Sequence, residues 1–209
     1  MGLLFVFDMD DVLYDYEWRV RMAGLTELTG LDLGEVRRRW WHRDGEWAAE
    51  AGRWADGDAY LAAWNEAMGT SLSRDEWVAN RGSAMQPRPD VLASVARARE
   101  LGRVTLLTNN SPLVEENLAT LAPELVPLFG HEHLRSSSRY GARKPDPRVF
   151  ERVLEAYDEP ADHSFFADDL PENVAGAASV GITAHLYVDP ASLRDAIEDF
   201  AASRAERRS

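Results

Sequence analysis

Asp8, Asp10 and Asp11 fall within four residues, directly behind the apolar run Leu3 to Phe7. Alternate residues of an extended chain share a face, so the carboxylates of Asp8 and Asp10 can converge just past the end of a strand. Two carboxylates held that close repel unless a proton or a cation lies between them, and a hard divalent cation is the natural partner. Aspartates behind strands also cap helices and make turns. Residues elsewhere in the chain therefore decide what this cluster does.

Three more polar groups recur in the same setting. Thr108 and Asn109 follow the apolar stretch Arg103 to Leu107, and Asp168 and Asp169 follow Ser164 to Ala167. Lys144 stands between them in the polar stretch GARKPDP. Taken singly, a loop lysine is usually solvated, and a Thr-Asn pair behind a strand is usually a helix cap. Together and in this order they outline a site at the carboxyl edge of a sheet, where open α/β sheets bind ligands.

The elements that must carry these residues are legible in outline. Leu3 to Phe7 reads as a strand covered on both faces, because it is short, unbroken and rich in Phe and Val. From Asp90 onward helical and strand-like stretches alternate, as in a parallel sheet with crossover helices. Helices are expected over Asp90 to Glu100, Ser111 to Leu121, Asp146 to Ala156, Pro171 to Val180 and Pro190 to Ala202. Leu121 to Gly130 reads as a short helix or loop, His133 to Ser136 and Ile182 to Val188 as strands, and the tail from Ser203 as frayed.

Residues 16 to 86 differ from the rest and hold every tryptophan of the chain: Trp18, Trp40, Trp41, Trp47, Trp54, Trp64 and Trp77. This segment predicts helices over Glu17 to Leu28, Asp32 to Asp44 and Ala59 to Met68, the last capped at Gly57-Asp58. Ser73 and Glu76 form a capping-box pattern that opens a fourth. Gln86-Pro87-Arg88-Pro89 reads as the linker back to the sheet. The expected architecture is a Rossmann-like parallel α/β core from residues 1–15 and 87–209, with a helical insertion over 16–86. The tryptophans are expected in the insertion's own core.

Composition narrows the function. A net charge of −13 argues against nucleic acid and anionic membranes as partners. With no cysteine, disulfides and thiolate chemistry are excluded. No apolar run reaches the length of a membrane span and no leader precedes the first strand, so a cytoplasmic protein is the simplest expectation.

As a set, these stretches resemble the four motifs of the haloacid dehalogenase-like hydrolases: FDMDDVL, LLTNN, the lysine of GARKPDPRVF, and FFADDLPENVAGA. The resemblance runs over essentially the whole chain, and the helical insertion matches the family's small α-helical cap. It departs at Asp11, where many relatives carry Gly. The resemblance implies a phosphatase. Asp8 would be the nucleophile and Asp10 the acid–base; Thr108, Lys144 and Asn109 would bind phosphate. Mg²⁺ would be held by Asp8, the Asp10 carbonyl and Asp169, with Asp168 either a further ligand or immediately behind the ligands, and with Asn173 orienting the acidic pair. The residue types suit phosphoryl transfer in their own right, because it needs an in-line nucleophile and charge neutralisation.

Other functions compete. A dehalogenase needs no leaving-group acid, so Asp10 favours the phosphatase. A phosphomutase shares all four motifs, and a non-catalytic binding module would be expected to show degraded ones. Arg37, Arg38, Arg39, Arg43 and Arg53 could meet a phosphorylated sugar or nucleotide, although helix arginines mostly form a solvated face. A small phosphorylated metabolite is the expected partner, and no pattern in the sequence speaks to oligomeric state.

Overall fold

The computed structural model describes residues 2–41 and 45–206. Its strands, in chain order, are β1 (Leu4–Phe7), β2 (Tyr14–Tyr16), β3 (Met85–Pro87), β4 (Arg103–Leu106), β5 (Ser164–Asp168) and β6 (Thr183–Leu186). Four of them form an all-parallel sheet in the order β4-β1-β5-β6, and β2 and β3 pair antiparallel as a separate ribbon. Between β2 and β3 lie α1 (Trp18–Thr29), α2 (Leu33–Trp40), α3 (Glu46–Glu50), α4 (Gly57–Met68) and α5 (Arg74–Gly82). The remaining helices are α6 (Pro89–Leu101), α7 (Pro112–Leu121), α8 (Val126–Phe129), α9 (Pro147–Tyr157), α10 (Pro171–Ser179) and α11 (Pro190–Glu206).

The unbroken apolar character of β1 follows from burial on both faces. Phe5 and Phe7 pack with Val91 and Val95 of α6 and with Leu193, Ile197 and Phe200 of α11. Leu4 and Val6 point the other way, into a cluster with Val149, Phe150 and Val153 of α9 and Ala177 of α10. Register sets the functional edge. Phe7 pairs with Leu106 on one side and Ala167 on the other, so Asp8 and Asp168 leave the sheet level with each other.

The insertion's helices carry their own start signals. Asp32 caps α2 through the Glu35 amide, and Ser73 with Glu76 forms the expected capping box of α5. Trp40, Trp64 and Trp77 are buried with Tyr60 and Met22, in an apolar cluster that continues onto Leu113 and Leu118 of α7. The helix α4 begins two residues earlier than expected: Asp56, not Gly57-Asp58, is its cap, accepting from the Ala59 amide at 2.8 Å. Gly57 serves a close approach, because a Cβ there would lie 2.5 Å from Glu116 Oε2 and 2.9 Å from Leu113 Cδ1 of α7.

Several expectations are corrected. Gln86 and Pro87 are not plain linker, since they pair with Asp15 and Tyr14 in the ribbon. His133 to Ser136 adds no strand; only Ser136 bridges to Thr108, with the Ser137 amide donating to the Thr108 carbonyl at 2.8 Å, because the chain winds into short 3₁₀ turns at His131–His133 and Ser137–Tyr140 on either side. The last helix does not fray at Ser203. Arg204 ties its final turn to the Asp162 carbonyl at 2.5 Å and to Thr183 Oγ1 at 3.1 Å. The second helix of the insertion ends at Trp40; Arg43 and Asp44 lie outside the described residues. Among the described residues, no helix is long and apolar enough to cross a membrane.

Candidate active site

Lys144 is the centre of the site. Its ammonium lies 2.8 Å from Asp8 Oδ1 and donates to Asp168 Oδ2 at 2.6 Å, and it is only 1% exposed. Asn109 sets its backbone: the Asn109 amide donates to the Lys144 carbonyl and accepts from the Lys144 N–H, each at 2.9 Å. Asn109 is therefore placed on the lysine loop. Asp168 is fully buried; its Oδ1 accepts from the Leu170 amide and from Asn173 Nδ2, both at 2.9 Å. Asn173 thus orients one member of the acidic pair. The other, Asp169, is only half-buried, just past the end of β5.

Asp10 takes a different environment from its neighbour. Its oxygens accept from Arg81 Nη2 at 2.6 and 2.7 Å, and Oδ2 also faces Asn110 Nδ2 at 3.2 Å. The same Asn110 amide donates to Thr108 Oγ1 at 2.7 Å, leaving the buried Thr108 hydroxyl its own proton to donate. Asp11 sits at φ +60°, the left-handed region that glycine adopts freely and that aspartate tolerates. Its carboxylate accepts from the Tyr16 amide at 3.2 Å, and its carbonyl accepts from Arg88. Arg88 also bonds Asp15, which secures the β2–β3 ribbon.

Three carboxylates, those of Asp8, Asp168 and Asp169, offer oxygens within 4.8 Å of one another. With one ammonium among them, negative charge is in excess. Burial raises the Asp8 pKa well above the ordinary carboxylate value; Asp168 and Asp10 add to the effect while Lys144 opposes it. Asp169 is pushed up to about 6 by burial first and by Asp168 next. Burial alone would lower Lys144, but Asp8 and Asp168 outweigh it and hold the ammonium charged. Apart from the lysine ion pair, buried Asp8 Oδ1 has no hydrogen-bond partner among the described residues. An all-oxygen donor set with surplus negative charge fits a hard divalent cation.

This geometry accords with the comparisons. The family model of the haloacid dehalogenase-like hydrolases matches residues 3–181. The chain belongs to the haloacid dehalogenase-like hydrolases. Phosphatase MT3486 of Mycobacterium tuberculosis (strain CDC 1551 / Oshkosh) is 31% identical over 208 residues, covering 92% of this chain and 90% of that protein. A haloacid dehalogenase-like enzyme of Bacteroides thetaiotaomicron, solved with magnesium and inorganic phosphate, has a TM-score of 0.73 at 19% identity, covering 90% of this chain and 95% of its own. A predicted hydrolase of the same family from Porphyromonas gingivalis has a TM-score of 0.71 at 19% identity, over 89% and 91% of the two chains. At such identities the likeness concerns the fold.

Within this member of the family, two residues of the site escape a reading of the sequence. Asn110 follows the Thr-Asn pair and looks like part of the same cap, yet it joins Thr108 to Asp10. Arg81 comes from α5, 71 residues away along the chain, and carries no motif. Four of the arginines that could have met a substrate are engaged within the insertion, while Arg43 lies outside the described residues and Arg74 reaches Glu116 of α7 at 2.7 Å. Arg38 and Arg39 pair with Glu35, Arg37 lies over Trp18 and Arg53 over Trp54.

Proposed function

We propose that this chain is a Mg²⁺-dependent phosphatase that hydrolyses monoesters of small organic molecules through a phosphorylated Asp8. The observation that carries this reading is the Asp8–Lys144–Asp168 cluster, with Asp169 beside it, at the carboxyl edge of the sheet. The relative from Mycobacterium tuberculosis named as a phosphatase supports it. So does the presence of Asp10, an acid that a dehalogenase would not need.

In the first half-reaction an Asp8 oxygen attacks phosphorus, and the bond to the leaving oxygen breaks as Asp10 gives that oxygen its proton. In the second, Asp10 takes a proton from water, the water oxygen attacks phosphorus, and phosphate leaves Asp8. Lys144 and the Thr108 hydroxyl hold the non-bridging oxygens throughout. Asp8, Asp169, the Asp10 carbonyl and, directly or at its side, Asp168 would hold Mg²⁺. When bound, the cation neutralises charge on the transferring group. Because Asn173, Leu170 and Lys144 already engage Asp168, Asp169 is the freer ligand.

We read residues 16–86 as a lid. Asp8 is 6% exposed and Lys144 1%, so a substrate reaches them only when a covering element moves. The insertion hangs from the sheet by the β2–β3 ribbon, and its α3 touches the lysine loop: Arg143 bonds Glu50 at 2.5 Å and Ser137 Oγ bonds the Glu50 carbonyl at 2.7 Å. A lid that excludes water protects an acyl phosphate until it is hydrolysed.

The test is phosphate release from a panel of phosphate monoesters, with and without Mg²⁺. Release that stops with chelator and returns with Mg²⁺ is expected. Full activity in excess EDTA after metal removal would overturn the mechanism. Isomerisation of a sugar phosphate with little free phosphate would turn the reading to a mutase.

A further inference from the structure

We propose that Arg81 is a positioning residue for Asp10, holding the acid–base carboxylate in line with the reacting centre from the helical insertion. The inference rests on the phosphatase reading above. Arg81 stands in the last turn of α5 and is completely buried. One nitrogen, Nη2, donates to both Asp10 oxygens, at 2.6 and 2.7 Å. The guanidinium carbon lies 3.9 Å from the centroid of the Tyr16 ring, which fixes its plane. Tyr16 is held in turn, because its hydroxyl accepts from buried Arg21 at 3.2 Å, and Arg21 packs over Trp77 and Trp41.

Arg81 is not placed for its own satisfaction. Its Nε and Nη1 are buried without a hydrogen-bond partner among the described residues. Leaving donors of a buried cation unpaired is costly, and such costs are retained where function needs the geometry. The geometry obtained is a two-sided grip on one carboxylate: Asn110 reaches Oδ2 from the loop behind β4, and Arg81 spans both oxygens from α5. Without Arg81, the 3.2 Å contact with Asn110 is the one side-chain hydrogen bond left, among the described residues, to set the rotation of Asp10.

The chemistry gives Arg81 a second effect on the same group. When Asp10 passes its proton to the leaving oxygen, negative charge develops on its carboxylate, and the guanidinium is already in place to meet it. Because α5 belongs to the insertion, the acid is gripped from both sides only while the insertion sits against the sheet. Proton donation is thereby tied to closure through one named contact.

The experiment compares kcat/KM for an alkyl phosphate and an aryl phosphate, since that ratio reports the step in which the leaving group departs. Alkoxides need a proton and nitrophenolate does not. Arg81→Ala is expected to lose at least about tenfold more on the alkyl than on the aryl ester, a fraction of what a general acid contributes. Arg81→Lys should recover part of the ratio, as should guanidinium ion added to Arg81→Ala. In an Asp10→Asn background, Arg81→Ala should leave the ratio where Asp10→Asn alone puts it. Activity on the aryl ester reports folding, and Arg81→Lys decides the matter by the same ratio if the alanine variant does not fold. Equal losses on both esters, no loss, or an additive effect with Asp10→Asn overturns the role given to Arg81. Wild-type protein inactive on every ester would instead overturn the phosphatase reading itself.

Discussion

Glu50 offers a measurement of how the seam between the insertion and the lysine loop depends on pH. The residue is 9% exposed, and burial raises its pKa to about 7 although Arg143 pulls it down. The unfolded chain ionises this group at its ordinary value of 4.5. Between those values the folded protein binds the proton more tightly than the unfolded one, so this group's contribution to stability falls as pH rises. Integrated from pH 5 to pH 8, the loss is about 2.5 kcal/mol. Glu50→Gln cannot titrate, and its amide oxygen can still accept from Arg143. Urea unfolding of both proteins at the two pH values isolates the effect, because all other groups cancel in the double difference. The variant should gain about 2.5 kcal/mol on wild type between pH 5 and pH 8. A gain under roughly 0.5 kcal/mol, within the error of such extrapolations, would refute the reading that burial outweighs Arg143 at Glu50.

Three further outcomes follow from the site. Asp8→Asn should abolish turnover while its melting temperature stays at or above wild type, since a neutral isostere relieves repulsion with Asp168 and leaves Lys144 paired there; retained turnover would remove Asp8 as nucleophile. Asn173→Ala should weaken activation by Mg²⁺ roughly 10–100-fold, read from a metal titration of activity, because Asp168 loses the amide that orients it. Mg²⁺ with beryllofluoride should change tryptophan emission in wild type and much less in Asp8→Asn, because all seven tryptophans lie in the insertion and Trp47 is 44% exposed beneath Arg143. An unchanged spectrum together with unchanged solution scattering would count against lid closure.

How much of this was legible depended on the distance over which the physics acts. The apolar run of β1 and the polar clusters behind β1, β4 and β5 are local patterns, and they announced the sheet and its working edge. Start signals carried in two or three residues, such as the Ser73–Glu76 box, were equally readable. The ribbon was not. Its strands are three residues each, and Pro87 reads as a break until Tyr14 lies opposite it. Nor was the absence of a strand at His133 to Ser136, where 3₁₀ turns on both sides leave a single bridge to Thr108. The five residues of α3 were too few to show helical periodicity. Arg81 was out of reach for the strongest reason. On the sequence it is one more arginine of an amphipathic helix, and only the return of the chain through β3 brings it to Asp10.

The claim on which everything else rests is that Asp8 becomes phosphorylated. Protein mixed with Mg²⁺ and an aryl phosphate, quenched within a turnover, can be reduced with borohydride, which converts an acyl phosphate to the corresponding alcohol. Peptide mass spectrometry should then find residue 8 as homoserine, and Asp10, Asp168 and Asp169 unchanged. Phosphate release in the same samples with no reduction at residue 8, or with reduction at another aspartate, would contradict the account.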